Sequence, residues 1–333
     1  MGTVTNDTAR VAICVVTHNC VADIADFFSA VESLEHPGLE LVIIDSASRD
    51  GTVSRINALD VSLPMTLEAL PENVGYAAGM NCALTKTQAP WILALNADTR
   101  PEPDFVTALL HGATTDASLK VAAVSGRLTR LADPDRLDAA GMRLTIGWRH
   151  LDRGSGERDE GQFGETERVF GATGAAVLLR REALDDVTID GMAYAEEFHS
   201  FREDAELAFR LRERGWEVLY EPTARAHHRR FSTPRRRRDL PEAVNRHSLK
   251  NRYLLRAYHQ SAGNFLTTLI PTLVRDAAAL TWVLLFERSS LAAYGWLWRH
   301  RSEILAKRRQ IRARRSEPQR HVNRWFWRHR RPL

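Results

Sequence analysis

Residues 91–99 read Trp-Ile-Leu-Ala-Leu-Asn-Ala-Asp-Thr, and this stretch decides the fold. Its first five residues are apolar, which predicts a buried strand, and Asn96 and Asp98 follow that strand directly. In an open α/β sheet, ligands bind beyond the carboxyl ends of the strands, so a carboxylate at this point is placed to face a metal ion or a phosphate group. The alternative is local: an Asx turn that caps a helix beginning near Pro101.

Upstream of this strand, short apolar runs alternate with helical patterns. Strands are predicted over residues 11–17, 39–44 and 65–70, and a helix over residues 76–87. Such alternation predicts a parallel sheet with right-handed crossovers. The first two strands also end on polar groups, Thr17-His18-Asn19 and Asp45. These groups and the segment from Asn96 to Asp98 should therefore converge along one edge of the sheet.

The sequence lacks the glycine-rich motifs of two common nucleotide-binding folds. A dinucleotide-binding fold needs G-x-G-x-x-G after its first strand, but residues 17–23 read Thr-His-Asn-Cys-Val-Ala-Asp, without a glycine. No G-x-x-x-x-G-K-[ST] loop occurs in the sequence, which argues against a P-loop nucleotidase. A bound nucleoside diphosphate would need another source of positive charge, and a divalent cation held by Asp98 would supply it.

Residues 201–216 carry the second strong signal. Leu207 and Leu211 fall on one helical face, which places Glu203 and Asp204 at the beginning of the helix. Acids in the first turn complement the helix dipole; alternatively, one of them is a general base that takes a proton from an attacking hydroxyl. In the second case Asp98 and Asp204 should meet across a single cleft.

The segments around this helix complete the predicted domain. Small residues at 171–176 lead into an apolar strand, a pattern that permits either close approach to a ligand or tight packing. A strand at 217–220 is followed by His227 and His228, and a histidine pair in a chain with a candidate metal carboxylate is a metal-ligand candidate. Residues 127–168 have few strand signals and many charges and glycines, which predicts a partly mobile loop region on the acceptor side.

Charge is distributed unevenly along the 333 residues. Residues 229–333 contain 25 Lys and Arg against 6 Asp and Glu, a net charge of +19, whereas residues 1–228 have a net charge of −15. Residues 265–286 are strongly apolar, but Pro271 and the adjacent Arg275-Asp276 disfavour a membrane span. We expect helices in the interface of an anionic membrane, with aromatic residues near the headgroups, namely Trp282, Tyr294, Trp296 and Trp298.

Two alternatives for the basic part stay open at this point. It can be a solvated helical bundle that packs a homo-oligomer, or a nucleic-acid-binding tail, although no recognised nucleic-acid-binding motif accompanies the charge. Three cysteines without a CxxC pair are typical of a reducing cytosol, and no apolar signal-type segment precedes Val11. We therefore expect a cytoplasmic protein that is peripheral on the inner face of the plasma membrane.

Seven segments, taken in order and at their spacings, resemble one known family. They are residues 15–19, 42–52, 73–81, 95–99, 171–176, 203–207 and 222–228, with a further stretch at 245–256. The chain resembles family 2 glycosyltransferases of the bacterial rhamnosyltransferase-like kind. The resemblance implies an α/β domain of the Rossmann-like GT-A fold over residues 1–232, with helices on both faces of its sheet. A basic, amphipathic, membrane-associating helical region over residues 233–333 would follow.

The resemblance also implies residues for the nucleotide and the sugar donor. Thr17, Asn19 and Asp45 would contact the nucleotide base and ribose. Gly75 and Gly79 would allow a loop and a helix end to approach the donor closely.

For the chemistry, the resemblance implies a metal site and a base. Asn96-Ala-Asp98 would be this chain's version of the D-x-D motif, with Asn96 in place of the first acid and Asp98 coordinating Mg²⁺ or Mn²⁺ at the donor diphosphate. Asp204 would be the catalytic base with Glu203 beside it, and His228 would help to hold the metal.

The implied activity is transfer of a sugar with inversion at the anomeric carbon. The expected donor is dTDP-L-rhamnose, and the expected acceptor is a saccharide or a polyprenyl-diphosphate-linked saccharide in cell-surface polysaccharide synthesis. Two alternatives keep the same fold: a transferase that uses a UDP-hexose, and a sugar-nucleotide-binding protein without turnover.

Overall fold

A computed structural model describes residues 9–230, 241–328 and 331–332 of the chain. The strands are β1 (Val11–Thr17), β2 (Leu39–Ser46), β3 (Met65–Leu70), β4 (Trp91–Leu95), β5 (Thr99–Pro101), β6 (Val121–Arg130), β7 (Asp133–Ala139), β8 (Met142–Leu144), β9 (His150–Asp152), β10 (Glu167–Arg168), β11 (Ala176–Arg180), β12 (Glu217–His228) and β13 (Arg331–Pro332). The helices are α1 (Val21–Glu32), α2 (Thr52–Asn57), α3 (Gly75–Thr85), α4 (Phe105–Thr114), α5 (Arg181–Val187), α6 (Glu203–Glu213), α7 (Glu242–His259), α8 (Ala262–Phe286), α9 (Ala292–Arg299), α10 (Arg301–Arg314) and α11 (Gln319–Asn323).

Most of the strands form one mixed sheet with the order β13-β10-β12-β6-β11-β4-β1-β2-β3. Strands β4, β1, β2 and β3 are parallel, and Thr17 lies opposite Asp45 in the register of β1 and β2. Because parallel strands share one carboxyl edge, the polar residues that follow β1, β2 and β4 converge there, as the sequence predicted.

Helices cover both faces of the sheet, which confirms the predicted α/β architecture. Along β1, Val11, Ile13 and Val15 pack into one core with residues of α1 and α4. Ala12 and Cys14 point to the opposite face and pack with residues of α3, α5 and α6. This alternation follows from the two-residue period of a strand, and burial on both sides explains why β4 and the first six residues of β1 are apolar.

The structure corrects the sequence prediction in the second half of the sheet. β11 is antiparallel to both β4 and β6, so the sheet is mixed rather than parallel. Periodicity reports burial and does not encode strand direction, which is why the sequence could not reveal this. The region 127–168, predicted as loop, contains β7, β8, β9 and β10. These strands are short or have largely exposed polar residues, so they lack the apolar alternation of a recognisable strand.

A second correction concerns the segment after β4. The helix predicted near Pro101 begins at Phe105, because residues Thr99–Pro101 form β5 and pair with the end of β12. Asp98 lies in the turn between β4 and β5. It does not cap a helix, so its carboxylate is not explained by that local role.

The basic C-terminal part packs on the sheet domain. Trp325 and Phe326 share one apolar core with Trp148, Phe170 and Phe209, and the ring centroids of Trp148 and Phe326 are 4.8 Å apart. β13 also pairs with β10 at the edge of the main sheet. The domain boundary predicted between residues 232 and 233 lies outside the described residues.

α8 is long and apolar enough to span a membrane, the one such helix in the described parts of the chain. Little of it packs against the rest of the protein, and Leu266, Ile270, Leu273 and Val274 are each more than half exposed. These four residues follow the helical spacing i, i+4, i+7 and i+8, so they lie on one face. We call this face the apolar stripe of α8.

The aromatic residues expected near headgroups differ in their surroundings. Tyr294 and Trp296 are half-buried against α7, where the hydroxyl of Tyr294 lies 3.1 Å from that of Tyr253. The indole of Trp282 donates to Glu287, whereas Trp298 is 69% exposed. Trp298 is therefore the most exposed aromatic residue of this group.

Candidate active site

A cavity of about 360 Å³ lies at the carboxyl edge of the sheet. It is lined from the ends of β4 and β12, from the hairpin of β8 and β9, and from the beginning of α6: Tyr76, Asn96, Asp98, His150, Asp152, Thr173, Gly174, Ala175, Ser200, Phe201, Arg202, Glu203, Asp204, His228 and Arg230. Asp98 and Asp204, which are 106 positions apart in the sequence, thus share one cleft, as the sequence predicted.

Asp98 and His228 belong to a short chain of polar side chains. Nε2 of His228 lies 3.4 Å from Oδ1 of Asp98, and Nδ1 of the same ring lies 2.8 Å from Oδ2 of Asp138. Burial alone would lower the pKa of His228, but hydrogen bonds to Asp138 and Asp98 and the charges of both carboxylates outweigh it and raise the pKa to about 9. Asp138, fully buried on β7, fixes the ring orientation.

These side chains fit a divalent cation that is held jointly with a bound ligand. Asp98 offers a carboxylate oxygen. Nε2 of His228 can bind a cation once it has lost its own proton, while the N–H at Nδ1 donates a hydrogen bond to Asp138 that holds the ring in place. Across residues 9–230 and 241–328, no group of three or more His, Cys, Asp or Glu side chains could hold a metal. Mg²⁺ and Mn²⁺ use substrate phosphates and water to complete such sparse sites.

Asp204 lies in the first turn of α6 and is placed to act as a base. Its carboxylate accepts hydrogen bonds from the backbone N–H of Ala205 at 2.7 Å and of Gly174 at 3.3 Å. Burial and the charge of Asp152 raise its pKa, the two backbone bonds oppose this, and the result is about 6. A carboxylate with this pKa is ionised at neutral pH and more basic than an ordinary aspartate.

Glu203, the neighbouring acid, is in a different environment. It is buried, and burial together with the charge of Asp204 raises its pKa well above the usual range. In the described residues, its Oε2 atom has no hydrogen-bond partner. Glu203 is therefore the member of the pair that holds a proton, and Asp204 is the ionised one at neutral pH.

The loop that precedes α6 has an unusual backbone. His199, Phe201 and Arg202 have positive φ angles of 61°, 70° and 75°, a region that non-glycine residues rarely adopt. Each such residue costs on the order of 1–3 kcal/mol and persists only where surrounding contacts enforce it. Asn251 on α7 supplies such contacts, because its Nδ2 lies 2.7–2.9 Å from the carbonyl oxygens of Phe198, Ser200 and Phe201.

We expect Asn251→Ala to lower kcat by about 10- to 100-fold, because a small displacement of the loop misplaces Asp204. The donor KM should change little. Steady-state kinetics and the melting temperature are measured together, with Asn245→Ala as the control for loss of a buried asparagine from α7. An equal fall in kcat for both variants at equal melting temperature would argue against a positioning role.

The residues expected to contact the nucleotide form a second polar cluster at the ends of β1 and β2. Thr17 donates to Asp45 at 2.8 Å, and the backbone N–H of Ser48 also donates to Asp45 at 2.8 Å. The side chain of Asn19 accepts from the backbone N–H of Arg49 at 2.8 Å. Thr17, Asn19 and Asp45 are therefore held together, but they are not part of the lining of the cavity.

The two glycines of the sequence prediction are in close contacts with protein atoms. Gly75 has a φ of 79°, and a Cβ atom there would lie 2.6 Å from the imidazole of His199. A Cβ atom at Gly79 would lie 2.8 Å from Val16 on β1. Both positions thus need glycine for packing, and neither glycine lines the cavity, although Tyr76 beside Gly75 does.

A comparison with protein families gives the family directly. The model for glycosyl transferase family 2 matches residues 12–188, more than half of the chain. The chain belongs to glycosyl transferase family 2. This confirms the resemblance seen in the seven sequence segments, and the matched range includes β1, β4 and Asp98.

Two curated members are similar over most of the chain. The N-acetylglucosaminyl-diphospho-decaprenol L-rhamnosyltransferase of Mycobacterium tuberculosis is 25% identical over 248 residues, which cover 66% of this chain and 76% of that protein. The poly-beta-1,6-N-acetyl-D-glucosamine synthase of Staphylococcus aureus is 25% identical over 201 residues, which cover 60% of this chain and 45% of that protein. This family 2 protein is accordingly an enzyme, a glycosyltransferase.

Solved structures confirm the GT-A fold. The mannosyltransferase PcManGT from Pyrobaculum calidifontis, in complex with GDP-Man and Mn²⁺, has a TM-score of 0.51 at 18% identity, covering 96% of this chain and 86% of that chain. S. aureus TarS 1-349 in complex with UDP-GlcNAc has a TM-score of 0.57 at 14% identity, covering 95% and 90%.

The structure of this family 2 glycosyltransferase also reveals polar residues of the site that sequence reasoning missed. Asp138 supports His228, and Arg230 forms ion pairs with both Asp138 and Asp152. A lone acid between two apolar residues, Leu137 and Ala139, is the one sequence signal that could have marked Asp138 as a buried functional group. Asp152 and Arg230 lie in segments whose composition resembles ordinary surface loops.

Proposed function

We propose that the protein transfers a sugar, with inversion at the anomeric carbon, from a nucleotide diphosphate donor to a hydroxyl of a saccharide acceptor. The observation that carries this proposal is one cavity lined by Asp98, His228 and Asp204 in a family 2 glycosyltransferase. Asp98 and His228 would hold the cation of the donor diphosphate, and Asp204 would face the acceptor. Thr17, Asn19 and Asp45 would bind the nucleotide.

In the proposed reaction, Asp204 accepts the proton of the acceptor hydroxyl. The acceptor oxygen bonds to the anomeric carbon as the bond to the diphosphate breaks, and the electron pair of that bond leaves with the nucleoside diphosphate. When bound, Mg²⁺ or Mn²⁺ would neutralise the leaving diphosphate as a Lewis acid. Backbone N–H groups at Gly174 and Ala205 keep the carboxylate of Asp204 in one orientation during proton transfer.

We infer L-rhamnose from dTDP-L-rhamnose as the transferred sugar, and a lipid-linked saccharide of cell-surface polysaccharide synthesis as the acceptor. Support comes from the rhamnosyltransferase relative, whose name includes a diphospho-decaprenol acceptor. The alternative is a UDP-hexose donor, which the UDP-GlcNAc complex of TarS favours. We also propose that the reaction requires Mg²⁺ or Mn²⁺, and the Mn²⁺ in the mannosyltransferase structure supports this requirement.

A panel of nucleotide sugars tests the donor. We expect dTDP-L-rhamnose with Mn²⁺ to raise the melting temperature more than UDP-GlcNAc, UDP-glucose or GDP-mannose, because a ligand that binds the folded state stabilises it. The same donor should give acceptor-dependent release of nucleoside diphosphate. A larger shift with a UDP-hexose would select the alternative donor, and no shift with any nucleotide sugar would contradict the proposal.

We further propose that residues 233–333 hold the enzyme on the inner face of the plasma membrane, where a lipid-linked acceptor would be found. The apolar stripe of α8 would enter the interface, and the basic residues of the region would attract anionic lipid at about 1 kcal/mol each. The exposed indole of Trp298 suits the headgroup layer.

We expect Ile270→Glu to reduce flotation with anionic liposomes by roughly tenfold or more, because the exposed isoleucine would contribute about 1.5–3 kcal/mol on insertion. Met192→Glu is the matched control, since it places the same charge at another exposed apolar residue. Flotation of Ile270→Glu equal to that of Met192→Glu would contradict membrane docking through the stripe and favour the bundle alternative.

A further inference from the structure

Arginines from three separate elements meet at the loop between β8 and β9, residues 145–149. Arg149 lies in this loop, Arg202 lines the cavity, and Arg275 lies on α8. The guanidinium of Arg275 donates to the carbonyl oxygen of Gly147 in the loop. The guanidinium of Arg202 lies 3.1 Å from Nδ1 of His150, the residue that follows Arg149. The loop therefore connects α8 with the cavity.

The three arginines act electrostatically on the same space. Burial lowers the pKa of His150 well below the usual range, and the charges of Arg202, Arg275 and Arg149 lower it further. Burial also lowers the pKa of Arg275 to about 9, with further contributions from neighbouring arginines that include Arg202 and Arg149. Positive charge is thus concentrated around a neutral His150. An anion bound there would reduce the repulsion among the three guanidinium groups.

Two of these arginines, Arg149 and Arg275, form no ion pair with a carboxylate in the part of the chain that the structure describes, although the charge of Asp276 acts on Arg275. Asp276, next to Arg275 on α8, forms ion pairs with Arg252 and Arg256 of α7 instead. Considering residues 9–230 and 241–328, neither Arg149 nor Arg275 is within ion-pair distance of a carboxylate. Arginine guanidinium groups match phosphate geometry through paired N–H donors, so phosphate is the anion that this arrangement suits.

The position of the arginines indicates which kind of phosphate would bind. On one side, Arg202 directly precedes Glu203 and Asp204 at the beginning of α6. On the other side, Arg275 follows Val274, the last residue of the apolar stripe of α8. A ligand that spans both sides has an apolar chain, a phosphate group, and a hydroxyl-bearing group that extends into the cavity.

We propose that Arg149, Arg202 and Arg275 bind the diphosphate of a lipid-linked acceptor, whose hydrocarbon chain lies in the leaflet contacted by the apolar stripe of α8. This inference rests on the proposed function, because it assigns a place to the acceptor of that reaction. Phosphates held beside Arg202 direct the attached sugar toward Asp204. The arginines thereby give the enzyme selectivity for a diphosphate-linked lipid over a free saccharide.

Equilibrium binding of farnesyl diphosphate to the full-length protein tests the inference. The protein is presented with phosphatidylcholine nanodiscs that contain farnesyl diphosphate, with dTDP and Mn²⁺ at saturating concentrations so that the donor site is filled. We expect Arg275→Gln and Arg149→Gln each to weaken binding by about tenfold or more, since each removes a charge-assisted contact. Arg288→Gln removes an exposed arginine just beyond the end of α8, and we expect less than twofold change there.

Parallel probes separate the sources of the phosphate. Farnesol and inorganic diphosphate should bind at least about tenfold more weakly than farnesyl diphosphate. Nanodiscs with phosphatidylglycerol should bind wild type and Arg275→Gln equally. The inference is overturned if inorganic diphosphate binds as tightly as farnesyl diphosphate, or if Arg288→Gln weakens binding as much as Arg275→Gln and Arg149→Gln do.

The same measurement distinguishes failure of the inference from failure of the proposed function. Nucleotide binding is determined for every variant, and we expect the dTDP affinity of Arg275→Gln to stay within about twofold of wild type. Normal dTDP binding with unchanged farnesyl diphosphate binding in both arginine variants overturns the inference alone. If the wild-type protein binds no nucleotide, the proposed function is overturned, and the inference is overturned with it.

Discussion

Asp204→Asn should lower kcat by about 10²–10⁴-fold while the affinity for the nucleotide donor stays unchanged. Asparagine keeps the shape of the side chain, and its amide oxygen can still accept the backbone bonds from Gly174 and Ala205. The asparagine side chain cannot take the proton of an acceptor hydroxyl, so only the rate of the chemical step should fall. Acceptor-saturated turnover and donor binding by calorimetry measure the two effects separately.

The pH dependence of the wild-type enzyme follows from the same residue. A general base works in its ionised form, and the pKa of Asp204 is raised to about 6. The rate should therefore be constant above this value and fall about tenfold per pH unit below it. The Asp204→Asn variant should lack this acid limb, because it has no base to protonate.

Two further variants make this result specific. Glu203→Gln replaces an acid that is already protonated, so its effect on kcat should be smaller than that of Asp204→Asn and should leave the acid limb in place. Asp60→Asn removes a carboxylate from an exposed loop and should behave as wild type. Near-normal turnover in Asp204→Asn would show that another residue is the base. Disappearance of the acid limb in Glu203→Gln would show the same.

The meeting of Asp98 and Asp204 in one cleft was predictable because each lies next to an element with a strong pattern. Asp98 follows a five-residue apolar strand, and strands of this kind in a parallel arrangement fix where their ends lie. Asp204 lies in the first turn of a helix whose apolar face at Leu207 and Leu211 is evident from spacing. Sheet topology then brings the two elements together.

The support around these acids was not predictable, because it depends on contacts between distant segments with weak local patterns. Asp138 reaches His228 from β7, a strand with mostly exposed polar residues. Asn251 reaches the loop before α6 from a helix some 50 residues later in the chain. Hydrophobic periodicity locates elements, but it does not reveal which buried polar group meets which partner.

Asp98→Ala should reduce kcat/KM by about 100-fold or more and abolish activation by Mg²⁺ or Mn²⁺. A cation at the donor diphosphate contributes several kcal/mol, and each 1.36 kcal/mol corresponds to a factor of ten in rate. The fold should be retained, because His228 keeps its contact with Asp138 when Asp98 is removed. Rates across a titration of metal ion and the melting temperature of the variant measure both statements.

Adjacent histidines provide a matched control for the metal site. His228 lines the cavity beside Asp98, whereas His227 contacts the hydroxyl of Thr129 outside the cavity. We therefore expect His228→Ala to need about 10- to 100-fold more metal for half-maximal rate, and His227→Ala to match wild type. A wild-type metal response in Asp98→Ala, or equal shifts for the two histidine variants, would show that the cation is held elsewhere.

In that case the donor diphosphate would need a different positive partner. Arg230 would be the first residue to substitute, because it lines the cavity and is close in sequence to His228.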